Sequence, residues 1–137
     1  MLPLRHARRW QVASALLLLV VLVAALMPVV WFWDDRISAL RWFNNVDKWL
    51  HGVTFFVLAV WFTGMFSRNR YGQIAIGLLL FGVMIEGCQY LVAYRTADWT
   101  DAGANAAGIL LGTTLALLGT GGWCERFEDH WASNKTT

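Results

Sequence analysis

No charged side chain occurs between Trp10 and Trp33, a run of 24 residues. None occurs from Trp49 to Ser67 (19 residues) or from Ala102 to Cys124 (23 residues). From Tyr71 to Tyr94 there is one, Glu86. About 20 apolar residues in helical form cover the hydrocarbon core of a bilayer. A soluble core helix of that length carries a polar stripe at helical spacing, and these runs mostly lack one. The pattern predicts an all-α, four-transmembrane-helix bundle with helices at approximately 11–32, 49–67, 72–94 and 102–122. The whole chain, 1–137, then forms a single membrane domain, with 123–137 as an interfacial tail.

Composition supports this reading. Charged residues make up 15% of the chain and apolar ones 58%, against roughly a quarter charged in an ordinary soluble domain. Mean hydropathy is +0.48. A disordered chain, a coiled coil and a nucleic-acid binder are excluded. Arg5, Arg8 and Arg9 ahead of an apolar run resemble a secretory signal, and Val23-Ala24-Ala25 would make a weak cleavage site. The apolar stretch continues through Val29, Val30, Trp31 and Phe32, too long for a signal core, so a retained first helix is expected.

Four spans put both termini on the side of the turn that holds Arg68 and Arg70. That side collects Arg5, Arg8, Arg9, Arg68, Arg70, Arg126 and Lys135; the other has Arg36, Arg41, Lys48 and Arg95. The excess of basic residues makes the N- and C-termini cytoplasmic. The net charge of +2 is thus a topology signal. Cys88 and Cys124 fall at opposite ends of the bundle, too far apart for a disulfide. The segment from Asp34 to Val46 is expected to be the longest outer loop, with a short turn capped by Asp35 and Trp31, Trp33 and Trp42 at headgroup level. In the tail, Trp123, Phe127 and Trp131 recur at i, i+4 and i+8, an interfacial pattern.

The remaining polar residues converge. Asp47, Lys48 and His51 begin the second helix, Glu86 and Gln89 lie in the third with Arg95 at its end, and Asp98, Asp101 and Asn105 begin the fourth. The topology brings all nine to the outer side of the membrane. Asp47 and His51 share a helix face, as do Glu86 and Gln89. Asp101 and Asn105 align with Gly108 and Gly112, and Ala104, Gly108, Gly112 and Ala116 form a small-residue stripe for close backbone approach. Helices two, three and four therefore form a compact bundle with an outward polar pocket. Glu86 lies about 12 Å along its helix from Tyr94 at ~1.5 Å per residue. An acid at the centre of a span costs about 2.5–3.5 kcal/mol to insert, so it faces the bundle, with Lys48, His51, Arg95 and Asn105 as candidate partners.

These residues resemble the VanZ-like family of small polytopic membrane proteins, named for a teicoplanin-resistance protein. Asp47-Lys48-Trp49-Leu50-His51 is similar to the family's D-K-x-x-H, and Glu86-Gly87-Cys88-Gln89 to its E-x-x-Q. Arg95, Asp98, Asp101, Asn105 and Gly108 supply its R-x-x-D-x-x-D-x-x-x-N-x-x-G. The resemblance covers about Asp47 to Gly112. It implies a multi-pass protein of the bacterial cytoplasmic (inner) membrane, with some relatives linked to low-level glycopeptide resistance, and it names no catalytic residue.

The leading expectation is a cell-envelope protein whose ligand-binding residues are Asp47, Lys48, His51, Glu86, Gln89, Arg95, Asp98, Asp101 and Asn105. They would take a headgroup, a lipid-linked precursor or a glycopeptide-type ligand, with Lys48 and Arg95 meeting an anionic group. Expected partners are membrane lipid, a lipid-linked envelope precursor or other membrane proteins, and no nucleic acid. No cofactor is expected and no residue is assigned to a metal. Two alternatives remain open. In a metal-assisted enzyme, His51, Asp47, Glu86, Asp98 and Asp101 hold a divalent cation that activates water against a lipid-linked or phosphorylated substrate. In a structural subunit of a larger complex, the small-residue stripe and aromatic surface are docking faces.

Overall fold

The computed structural model describes residues 1–27, 36–91 and 99–134, with side chains for 1–27, 48–91 and 100–134. Among the described residues, all regular structure is helical. Helix α1 spans Ala7–Leu26, α2 Arg36–Met65, α3 Tyr71–Tyr90, α4 Trp99–Leu115 and α5 Trp123–Ser133. A 3₁₀ turn at Arg68–Arg70 joins α2 to α3, and α4 runs into a wide π turn at Ala116–Thr120. Among the described residues, three segments are long and apolar enough to cross a membrane: Ala7–Leu26, Arg68–Tyr90 and Thr100–Thr120. Their outward faces carry Val12, Leu16, Leu19 and Val20 on α1, Ile76, Leu80 and Val83 on α3, and Leu110 and Leu111 on α4, all exposed. A belt of large aliphatic side chains this continuous needs lipid around it rather than water.

The helices differ from expectation at two places. Residues 36–46, expected in a loop with one short turn, are the start of α2, which runs unbroken for 30 residues. No Gly or Pro lies between Arg36 and His51, and a helix once nucleated propagates through such a stretch. Trp31, Trp33 and Asp35 lie outside the described residues, as does the Trp42 side chain. The expected ends of the first and third helices, at 32 and 94, also lie outside them. The second difference is the tail. Gly119 (φ 136°), inside the π turn, and Gly122 (φ 72°), which caps the start of α5, hold two backbone conformations that a side chain would strain. They fold α5 back onto the bundle, so the stripe Trp123, Phe127 and Trp131 is divided. Trp123 packs inward, while Phe127 and Trp131 stay exposed, their rings tilted against each other with centroids 6.1 Å apart.

The main interface joins α2 to α4, which are not consecutive in the chain. Small residues cause it. A Cβ added at Gly108 would strike the Gly52 carbonyl oxygen, and one at Gly112 would lie 2.8 Å from both Ala59 Cβ and the Phe56 oxygen. The two backbones therefore touch, as the stripe on α4 predicts. Around this seam Phe55, Leu58, Ala59, Leu78, Ile85 and Ile109 form the buried core, and Leu17, Leu18, Val21 and Leu22 of α1 pack over it.

Candidate functional site

At one end of the bundle, several of the described polar groups have a structural task. Glu128 on α5 accepts the backbone N–H groups of Arg5 (2.6 Å) and His6 (3.1 Å), just before α1, and the indole N–H of Trp10 at 2.9 Å. A carboxylate at a helix N-terminus satisfies donors that have no partner within the helix. Burial pushes the Glu128 carboxyl up, but the bonds from Trp10, Arg5 and His6 and the nearby His6 outweigh it, so it lies below the ordinary glutamate range. Trp10, Trp61 and Trp123 form a triangle with ring centroids 5.5–5.8 Å apart. The Trp61 indole donates to Ser14 Oγ at 3.0 Å and that of Trp123 to the Val60 oxygen at 3.1 Å. Beneath them Cys124 is fully buried, and burial, with Glu128 close by, pushes its thiol up to about 12. It is an inert packing thiol, and Cys88 is a free one on α3.

The other end gathers side chains from three helices. His51 of α2, Gln89 of α3, and Asp101 and Asn105 of α4 are all buried. Glu86 is half-buried as a residue, with both carboxylate oxygens shielded from solvent. The close α2–α4 seam sets His51 against Asn105, and His51 Nδ1 lies 3.1 Å from Asn105 Oδ1. An amide oxygen only accepts, so Nδ1 is the donor in this contact, and Nε2 is the ring nitrogen left for another partner. One ligand atom each from His51, Glu86 and Asp101 lie within 4.8 Å of one another. Lys48, one turn before His51, holds Asp101 Oδ1 at 3.6 Å.

Two details are less apparent from the sequence. Asn105 Nδ2 is buried without a hydrogen-bond partner, and a Cβ at Gly82 would lie 3.0 Å from it. Gly82 is one helical turn before Glu86, so its missing side chain admits the amide to the face of α3 that carries the acid. Gln89 turns away: its amide donates to the Ala25 oxygen at 2.9 Å and ties α3 to the last turn of α1. The arrangement thus brings together Lys48, His51, Glu86, Asp101 and Asn105 of the expected site, with Gln89 beside it as a helix tie. The Asp47 side chain, Arg95 and Asp98 lie outside the described residues.

An apolar groove of about 470 Å³ runs between α1, α2 and α3, walled by Leu18, Phe62, Phe66, Ile74 and Phe81 with Arg70 at its edge. It contains none of the polar cluster. The Trp triangle and Glu128 escape sequence reasoning because their partners are 50 or more residues apart with no shared spacing. Gly82 was open to it, standing at i−4 from Glu86 on one face.

No curated protein and no solved structure matches the sequence. The profile of the VanZ/LLP1 family matches residues 5–120, which takes in α1 to α4 and every residue of the polar cluster. The chain belongs to the VanZ/LLP1 family.

Proposed function

We propose that this protein crosses the bacterial cytoplasmic membrane four times, with both termini in the cytoplasm, and binds the polar headgroup of a lipid-linked envelope precursor at its outer end. One observation carries the reading: His51, Glu86, Asp101 and Asn105 come from three helices to one buried place. Holding helices together needs only a Ser or Thr at far lower insertion cost. Buried carboxylates and an imidazole within reach of one another are chemistry that packing alone does not require.

The topology is supported by the contact of Glu128 with Arg5 and His6, which keeps both terminal segments at one end of the bundle. That end also has the turn bearing Arg68 and Arg70, and it holds most of the basic residues. Helix α2 supplies the fourth crossing through its uncharged stretch from Trp49 onward. Lipid surrounds the aliphatic belt, and Lys48 at the rim meets the anionic part of the ligand while the amide and imidazole orient it.

Native mass spectrometry of the detergent-purified protein with a short-chain polyprenyl diphosphate tests this. The wild type is expected to retain the lipid through gentle activation, and Asp101→Ala to lose most of it while remaining folded. Equal retention by the two proteins overturns the reading. In cells, a resistance role would show as increased glycopeptide susceptibility on Glu86→Ala or Asp101→Ala at unchanged protein abundance.

A further inference from the structure

We infer that the His51–Glu86–Asp101 cluster is a divalent-cation site, and that the cation joins the protein to the phosphate of its ligand. The inference rests on the headgroup reading above for the second half only; the cation site stands on its own geometry.

Charge comes first. Among the described residues of the cluster, Glu86 and Asp101 are acids and Lys48 is a base. A divalent cation supplies the positive charge that an approaching phosphate needs beside these acids. It also relieves the approach of two carboxylates, Glu86 and Asp101, whose ligand oxygens lie within 4.8 Å of each other and of a His51 nitrogen. Lys48 shares Asp101 from the rim.

The ligand geometry comes second. Three ligands from three helices leave open positions, the pattern of sites that bind an exogenous group rather than closed structural ones. Asn105 Oδ1 fixes the His51 tautomer and ring orientation, the usual service of an outer partner to a metal-bound imidazole. The imidazole nitrogen selects a first-row cation such as Mn²⁺ or Zn²⁺ over Mg²⁺ or Ca²⁺, which favour all-oxygen sets.

An independent observation points to what fills the open positions. Asn105 is only 2% exposed, and its Nδ2 has no acceptor. The amide faces α3 at Gly82, one helical turn from Glu86. A buried donor left unsatisfied costs about 1–3 kcal/mol. An oxygen of a cation-bound phosphate or water at that place would accept from it. The site then has a cation for the anion's charge and an amide for its orientation.

The test uses the full-length protein in detergent, stripped with a chelator and titrated with Mn²⁺, with free Mn²⁺ read by electron paramagnetic resonance. One saturable site per chain is expected. His51→Ala and Asp101→Asn should each weaken it roughly tenfold or more, on the scale of lost metal-site contacts. Glu86→Gln, nearly isosteric, guards against a result due to misfolding and should weaken it likewise. Glu128→Gln at the opposite end should leave it unchanged. No saturable binding by the wild type, or equal binding by all three cluster variants, overturns the site. Polyprenyl diphosphate binding is then measured with Mn²⁺ and with chelator. Binding at least tenfold tighter with Mn²⁺ supports the bridge, and equal binding overturns it while leaving the headgroup reading intact. Mn²⁺ binding with no lipid binding sustains the cation site and removes the headgroup reading instead.

Discussion

At the Arg5 end of the bundle, one carboxylate meets three N–H donors, and each of three indoles has an acceptor. At the His51 end, two carboxylates approach an imidazole, and a buried amide keeps an N–H with nothing to receive it. Both ends draw on helices far apart in sequence and both bury polar atoms. They differ in completeness. Buried polar atoms that serve only the fold are generally satisfied within the protein, as around Glu128. A cluster that leaves a donor open and gathers like charges has retained capacity for something outside itself. On the proposed reading, the difference separates a stabilising polar network from a binding one. It predicts that substitutions at the first end change stability and spare ligand binding, and that the reverse holds at the second.

The seam between the ends sets the upper limit of effect. Gly108→Val places a branched side chain against the Gly52 carbonyl and the Phe56 backbone. Neither can yield without parting α2 from α4, and overpacking of this kind costs about 3 kcal/mol or more. Both ends should fail together, seen as aggregation in size-exclusion chromatography and rapid proteolysis. Next comes Trp123→Ala, which opens the aromatic triangle and removes the donor to Val60. A loss of about 3 kcal/mol is expected in denaturant unfolding, with Mn²⁺ affinity unchanged. A parallel loss of Mn²⁺ binding would show that the two ends are one unit and end the comparison.

The unequal legibility of the two ends follows from the same physics. The charge-free runs announce helices whose surroundings are lipid, and Gly108 with Gly112 announces a close seam, so the helical bundle could be read directly. The polar cluster was legible because intramembrane ionisable groups are expensive and rare: Glu86 stands alone in its run, and Asp101 and Asn105 share a face. The seam's partner was not legible. Nothing local in the chain says which helix meets Gly108 and Gly112, and Gly52 and Ala59 make α2 the partner of α4. The role of α5 was also hidden. Trp123 and Glu128 find Trp10, Trp61 and Arg5 only after Gly119 and Gly122 reverse the chain, and no local period encodes that meeting. Gln89 looked like part of the site, yet its amide donates to the Ala25 carbonyl in the last turn of α1.

Glu128→Gln tests the first end more gently. It keeps the shape and removes the charge, so the bonds to Arg5, His6 and Trp10 weaken. A loss of about 1–2 kcal/mol is expected, in the range of helix-cap substitutions. The pH dependence has a definite sign. The folded carboxyl lies below its ordinary value of 4.5, so its stabilisation is present above that value and declines as pH falls through the folded pKa. Wild type and variant should therefore differ at neutral pH and converge in acid. Thermal unfolding followed by circular dichroism from pH 7 to pH 3 measures this, and a constant difference would mean that the charge of Glu128 contributes nothing.

Asn105→Ala should have the smallest effect on stability and still discriminate most sharply between the two ends. The substitution removes a neutral hydrogen bond to His51, about 1 kcal/mol. It also removes a buried N–H that folding has stripped of water without replacement, which offsets a similar amount. The net change in unfolding free energy should stay within about 1 kcal/mol. Binding responds differently, because the His51 ring loses the acceptor that fixes its proton on Nδ1. Either nitrogen can then carry the proton, and Mn²⁺ affinity should fall about tenfold. If the amide served only to hold α4 to α2, the outcome would be inverted: a stability loss of more than about 2 kcal/mol, with Mn²⁺ affinity untouched. Denaturant unfolding and Mn²⁺ titration on the same preparation distinguish the two results. The side chain with least to contribute to the fold is thus the one that best reports whether this end of the bundle is a site.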